Sequence, residues 1–578
     1  MSNSPVVPTN RAARRSLARR GGALGAGGVL VAGTAAALLT ALAGQAGAAA
    51  TITVDSSGDG TATASNCTDS MPGNCTIRDA AALAVDGDTI TFNAAISNIT
   101  LTNGGIALGA VNVTGPGSAS LAITTTAAAG SYDLFNFSGT GDVTVSGLSL
   151  TKNRIKTQNA GTFTLDDVSI SDSSADWGGA LYTANAGDLV ISGSHFENNE
   201  SGNGAQGGAI YALNSGDVTI SDSEIVNNSA QSNGQGGGIS VNSSSFTMSN
   251  SKVTGNVANN SGGLNVITNG AVMITDSEIS SNTTTFSGAG VSIGLANPQA
   301  PADTVTIERT TIDGNVMSGS GDGGGLRLNN RSLVMSNSTV SNNVSGNTGG
   351  GIAINGGPKV TINNSTITGN QAVNGGGLYS THTDAEINQS TIANNAAVGG
   401  ANQTGGGGVW LYEASMDISG TIISGNTSDS PGREDVSTLY VDAINSDHSL
   451  LGNVGVVPGF TPVSVTDLGG TIRSTTPGLL ALADNGGPTK TMALDPTSAA
   501  IDAGPNPVAT FSGNGFDQRT TPWLRVSNGT VDIGAFESQA TPVPTSSTTT
   551  TAPTTSTTGV DPTTTTTEED VMVPAFTG

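Results

Sequence analysis

Tyr182 with Tyr211, and Tyr379 with Trp410, stand at one recurring position of a chain that holds six tyrosines and three tryptophans. The position comes one residue after the apolar residue that follows a glycine cluster, where a strand side chain faces outward. Outward aromatic rings can stack on sugars, offering an apolar face with a polar tip. They can equally pair with each other on adjacent strands and stabilise a sheet. Two acids, Asp188 and Asp217, also share a recurring position, just before the first apolar residue of successive copies. Stacking would bring their carboxylates to roughly 5 Å apart. A shared Ca²⁺, which takes six to eight oxygen ligands, is the one cofactor such a pair suggests; otherwise none is indicated. The plainer role is that of turn residues after Gly187 and Gly216. No Lys or Arg occupies the neighbouring template positions, so the base that a lyase needs is missing.

No other catalytic set assembles. Arg154-Ile155-Lys156 and Asp166-Asp167 resemble segments of the polygalacturonases, but that family places the basic tripeptide after the acids, with a Gly-His-Gly between them. His195, His382 and His448 all lack that context. With no complete catalytic constellation, the balance leans away from an enzyme.

What must position these residues is a repeat. One template recurs: apolar, any, apolar, four residues, apolar, two residues, Asn. It reads Leu189, Ile191, Phe196, Asn199, then Val218, Ile220, Ile225, Asn228. Further copies end at Asn256, Asn282, Asn315, Asn343, Asn370, Asn395 and Asn426, which gives a period of about 28 residues. Each copy carries a second alternating strand behind glycines, as in Gly349-Gly350-Gly351-Ile352-Ala353-Ile354. Short strands at this period, with no helix between them, predict an all-β fold, a parallel β-helix whose coils bury together what none buries alone. The asparagines are expected to form a structural ladder at one corner. Each would take the left-handed conformation and bond the amides above and below it.

Composition limits the partners. The chain has 44 acids against 19 Lys and Arg, a formal charge of −25, which is the wrong sign for a nucleic-acid partner. Five arginines (11, 14, 15, 19 and 20) precede an apolar Ala/Leu/Gly stretch and Ala48-Ala49-Ala50, the layout of a secretory signal peptide over residues 1–50. The expectation is an exported protein, extracellular or at the cell surface, monomeric and with no transmembrane span after cleavage. In that oxidising setting Cys67 and Cys75 are expected to form a local disulfide. Residues 51–140 are read as a cap and first coils, with a short helix near Cys75–Leu83. Regular repeats fill 141–430, irregular last coils 431–480 and a compact C-terminal cap domain 481–537. The Thr/Ser/Pro-rich segment 538–578 is too poor in apolar residues to build a core and reads as a disordered stalk.

Three features together resemble a group of exported bacterial surface proteins. Cys75-Thr76-Ile77-Arg78-Asp79-Ala80 is similar to the core of the CSLREA domain, with Ile for Leu and Asp for Glu. The Gly207–Ile210 and Phe196–Asn199 tetrads are similar to the right-handed parallel β-helix repeats of polymorphic membrane proteins. Asp484-Asn485-Gly486-Gly487-Pro488-Thr489, Asp517-Gln518-Arg519 and Asp532–Glu537 resemble the choice-of-anchor Q domain. The resemblance implies a right-handed helix and a surface or secreted location, and it supplies no catalytic residues. The function expected is non-catalytic adhesion, structural support or binding of extracellular polysaccharide or cell-surface glycans. The alternative is a polysaccharide lyase or glycoside hydrolase of the pectin-lyase-like superfamily.

Overall fold

The computed structural model describes residues 49–68, 73–184, 187–399 and 405–539. The expected signal sequence, save its last two residues, and nearly all of the stalk lie outside these. Between them the chain winds as a parallel β-helix. One coil runs through Leu181–Ala184, Leu189–Ser192, His195–Glu197 and Glu200–Ser201. Along the coils the strands pair in parallel with their equivalents one coil on, with register shifts at Leu213/Ser215 and Ser446/Asp447. Leu189 lies against Val218, which lies against Phe246 and then Val272. Phe196 lies against Ile225 and then Val253. The template's apolar residues all face inward, and a single hydrophobic cluster runs from Ile52 to Leu451. That continuity is what a stack of coils needs, because each coil's apolar stripe is covered only by its neighbours.

The asparagine ladder is present, but its geometry differs from the expectation. The ladder residues have ordinary φ; the left-handed residue is the one before, as at Asn198, Asn227, Ser281, Asn342 and Asn394. The turn at that residue aims the following side chain into the stack, where it is fully buried. Asn256 shows the pattern. Its Oδ1 accepts from the backbone N and the Nδ2 of Asn228 at 2.9 and 3.0 Å, and its Nδ2 donates to the Ile225 carbonyl and to Asn282 Oδ1. Each side chain thus serves the backbone of the preceding coil rather than both neighbours. The ladder closes at Asp435, whose Oδ1 accepts from the N and Nδ2 of Asn426, both at 2.9 Å. Burial pushes the Asp435 carboxyl up from its ordinary range.

A second ladder runs alongside the first. Five residues before each ladder asparagine stands a buried Ser or Thr, such as Ser194, Ser223, Ser251, Ser338, Ser365 and Ser390. The hydroxyl of each accepts the amide of its equivalent one coil earlier, as in Ser194 N to Ser223 Oγ at 3.1 Å, and donates to the carbonyl two residues back. Here too the preceding residue is left-handed (Gly193, Asp222, Asn250, Asn337, Asn364). Both corners therefore satisfy their turned-out amides with short polar side chains, as buried backbone requires.

The N-terminal end is closed by the helix Ile77–Leu83. It starts at a capping box in which Thr76 and Asp79 satisfy each other's backbone amides. Cys67 and Cys75 form a disulfide, and Cys75, Ile77 and Ala80 join the core. At the other end the chain turns back along the Ser/Thr corner. Thr489 Oγ1 donates to the Asn337 carbonyl, the Phe516 carbonyl accepts from Asn364 Nδ2, and the Gly534 amide donates to the Gly420 carbonyl. Gln518 is fully buried and makes bonds to Thr339, Thr366 and Thr489.

Candidate functional site

The sheet behind the glycine clusters gathers the aromatic residues. Its strands include Leu181–Ala184, Leu326–Asn329, Leu378–Thr381, Val409–Tyr412 and Val436–Leu439. Left-handed glycines such as Gly207 and Gly236 lead into it. A Cβ added at Gly207 would lie 2.1 Å from the Ile210 carbonyl oxygen, so no other residue fits there. The outward column runs Lys156, Tyr182, Tyr211, Ser240, Asn265, Ser292, Arg327, Ala353, Tyr379, Trp410 and Ser437 in register.

The four aromatics predicted from sequence fall on this column in two groups, but their roles divide. Tyr211 and Trp410 are each only 5% exposed. They are supports rather than open platforms. Trp410 stacks on Tyr379, 4.6 Å away and nearly parallel, and on Tyr412 at 6.0 Å, and among the described residues its buried indole nitrogen has no hydrogen-bond partner. Tyr182 and Tyr379 are half-buried, and the most exposed rings lie outside these four. Trp177, 42% exposed, stacks on Tyr211. Tyr440, 58% exposed, packs edge-on against Tyr412 and Phe460. Beside Tyr440 and Phe460 lies a groove of about 340 Å³ closed by Pro462 and Val463. The missing signal was a second position: Tyr412 falls three residues, not one, after the apolar residue of its strand, and Tyr440 follows the strand itself.

Tyr440 is held at φ +54°, at the corner where preceding coils place Asn330, Gly356, His382 and Glu413. An aromatic residue in this conformation is strained by about 1–3 kcal/mol relative to a permissive residue. Its outward ring is therefore kept at a cost in stability. Tyr379 is held differently: burial pushes its phenol up to about 12, and the Asp322 carboxylate adds to the effect. The phenol stays protonated at neutral pH and can donate a hydrogen bond, but it is a poor general base.

At the opposite end of the column, Arg154 lies over the Tyr182 ring at 5.4 Å and pairs with Asp133 at 2.6 Å. Lys156 reaches the same acid at 3.7 Å. Asp166 and Asp167 lie on the strand Phe163–Ser171, which pairs with Val143–Thr151 and Leu189–Ser192 rather than with the aromatic column, and they accept bonds from Ser192 and Ser118. The tripeptide and the paired acids therefore do not converge.

Asp188 and Asp217 are brought to adjacent coils, and one oxygen of each holds the stack together. Asp188 Oδ1 accepts the Asp217 amide at 2.9 Å, and Asp217 Oδ1 accepts Ser245 Oγ at 2.8 Å. Among the described residues no group of three or more His, Cys, Asp or Glu side chains is placed to hold a metal, and no helix is long and apolar enough to cross a membrane.

A family described as a right handed beta helix region matches residues 203–430, the heart of the repeats. Fold and repeats together define the chain as a β-helix repeat protein. No curated protein matches it. Among solved structures it is similar to the A-module of the Azotobacter vinelandii mannuronan C-5 epimerase AlgE6, at 13% identity over 68% of this chain and 93% of that one, with a TM-score of 0.37. It is also similar to pectate lyase Pel9A (13% identity, 84% of this chain and 96% of that one, TM-score 0.29). A PL6 alginate lyase in complex with a trisaccharide matches at 11% identity over 77% of this chain and 91% of that one, with a TM-score of 0.30.

Proposed function

We propose that the protein is an exported, non-catalytic β-helix that binds extracellular polysaccharide or cell-surface glycans along the outer face of its glycine sheet. The observation that carries this reading is the aromatic run Tyr379, Trp410, Tyr412, Tyr440 and Phe460, in which buried rings support solvent-facing ones on successive coils. Coils advance about 4.8 Å each, a step close to one pyranose unit, so a glycan lying along the axis meets a fresh side chain at each sugar. The strained Tyr440 supports the same reading, since a residue kept against its own conformational preference is more readily explained by binding than by folding. Export rests on the basic-then-apolar N-terminus, and the CSLREA-like and choice-of-anchor-like segments are consistent with surface display.

The test is retention of the full chain on neutral and acidic polysaccharides, with Ca²⁺ and with chelator, together with a count of newly formed chain ends. Retention without new ends is expected. New chain ends would replace the binding reading by a cleaving enzyme, and calcium-dependent ends would return attention to Asp188 and Asp217. Tyr440→Gly should lower retention about tenfold while raising stability by about 1 kcal/mol, because glycine accepts the left-handed corner. A variant that loses stability and keeps its retention would remove Tyr440 from the site.

A further inference from the structure

Among the described residues Arg327 makes no hydrogen bond and no ion pair. It sits in the outward column of the glycine sheet between Ser292 and Ala353. The residue is only partly exposed, and its Nε is buried without a hydrogen bond. Every other guanidinium buried in the described part of the chain has protein contacts. Arg331 donates to three carbonyls, Arg519 pairs with Asp517, and Arg525, whose Nε is likewise unbonded, bonds the Gly534 and Ala535 carbonyls and Asn364 through both terminal nitrogens. The acid that feels the charge of Arg327 is Asp322. Its carboxylate is already engaged by Asn347, Thr348 and Asn355. Withdrawing a cation from water without pairing it is unfavourable, and burial duly lowers the pKa of Arg327. Folding alone gives no reason for an arginine here; the same column carries Ser, Asn and Ala in neighbouring coils.

The surroundings form a built groove of about 310 Å³. Its floor is Asn265, Ser292, Arg327 and Asn329, and its wall is Leu295 and Pro298. That wall is an insertion: the coil from Asn282 to Asn315 takes 33 residues. The extra loop is fastened in place. Asn269 bonds both the amide and the carbonyl of Asn297. Arg331, fully buried, donates to the carbonyls of Asp303, Thr268 and Gly270 at 3.0, 2.5 and 2.7 Å. A pinned wall, polar donors on the floor and an unpaired cation make a receptor for an anion.

We propose that this groove is a subsite for the anionic substituent, carboxylate or sulfate, of a glycan that continues onto the aromatic run. The proposal rests on the glycan reading for the rest of the ligand. Tyr379 lies two coils beyond Arg327, on the order of 10 Å, so the charged sugar and the stacked sugar belong to one short oligosaccharide. The geometry suits a guanidinium, which presents a planar set of donors to two oxygens at once.

The full chain is titrated by calorimetry with an oligouronate, its carboxyl-reduced neutral counterpart, a sulfated oligosaccharide of equal length, and inorganic sulfate. Wild type is expected to prefer at least one charged oligosaccharide over the neutral one by about tenfold or more, the value of a charge-assisted contact. Which of the two it prefers identifies the substituent. Arg327→Met should abolish that preference, leave neutral binding unchanged and keep or raise the melting temperature. Equal binding of charged and neutral ligands by wild type overturns this subsite and leaves the glycan reading standing; binding of neither overturns both. If inorganic sulfate alone binds as tightly as the sulfated oligosaccharide, the groove is a simple anion site and the proposal fails. An Arg327→Met variant that melts lower and loses neutral binding as well would make Arg327 structural, which also overturns it.

Discussion

Asn343→Ala is expected to destabilise the protein by about 3–5 kcal/mol, the largest loss from any single truncation considered. The side chain is fully buried and makes four bonds. It accepts from the N and Nδ2 of Asn315 at 3.0 and 2.9 Å, and it donates to the Ile312 carbonyl and Asn370 Oδ1, both at 2.9 Å. Alanine leaves the Asn315 amide and the Ile312 carbonyl buried without partners, each costing about 1–3 kcal/mol. Because coils contact only their neighbours, the damage stays near residues 312–370 and appears as local opening. Limited proteolysis should cut the variant there before the ends of the stack, and denaturant melts should show an early transition. Asn342→Gly, one residue away, tests the explanation. Asn342 takes φ +54° and bonds Asp313 at the surface, and glycine tolerates that turn, so this variant should melt within about 0.5 kcal/mol of wild type. Equal effects at the two positions would refute a ladder built on residue 343.

The second large effect is a pH-dependent grip of the C-terminal segment. Glu537 is buried with Asp532, Asp517, Arg525 and Arg519 around it. Burial first, then the Asp532 and Asp517 charges, raise its carboxyl from 4.5 to about 8, against a lowering by the Asp532 amide and Arg525. A group whose folded pKa is raised contributes stability that is fully present below its unfolded value near 4.5 and is lost as pH rises through about 8. The segment docked on Asn337, Asn364 and Gly420 should therefore be tightest in mild acid and loosen progressively up to pH 9. Hydrogen exchange of residues 485–537 at pH 5 and pH 9, each expressed as protection relative to the intrinsic rate at that pH, reads this. Glu537→Gln keeps an oxygen for the Asp532 amide, removes the titration and should flatten the profile. Asp435 shifts in the same direction but lies at the end of the asparagine ladder, so a profile that Glu537→Gln leaves unchanged would move the effect there.

The coils themselves were legible because a buried stripe leaves a spaced signature. Val218, Ile220, Ile225 and Asn228 mark two strands and a corner by composition and interval alone, and the structure puts all four inside. The Ser/Thr ladder was as regular, five residues before each asparagine, but serine is so common in loops that its spacing drew no notice. Which residue of each corner is left-handed was also hidden. Asn, Gly, Ser and Asp all fill that place, while the neighbouring Asn is fixed by its four bonds. Cys67 and Cys75 pair as expected, with the intervening turn bringing their Cα atoms to 4.7 Å.

The face that would bind was only half legible. Tyr182, Tyr211, Tyr379 and Trp410 were found because they repeat at one position. Exposure, however, is decided by what the neighbouring coils bring over them, so Tyr211 and Trp410 become supports while Trp177 and Tyr440 meet solvent. Arg327 could be placed in the outward column from sequence, but its lack of a partner could not. That depends on Asp322 being engaged elsewhere and on an inserted loop pinned by Arg331 from another coil. The sequence by itself determined the period, the inward stripe and the outward columns, because those follow from side-chain alternation within a strand. Tertiary structure alone decided which outward groups are covered, paired or left open, because residues about 28 apart, or as far apart as Gln518 and Thr339, become neighbours only when the coils stack and the C-terminal segment folds back.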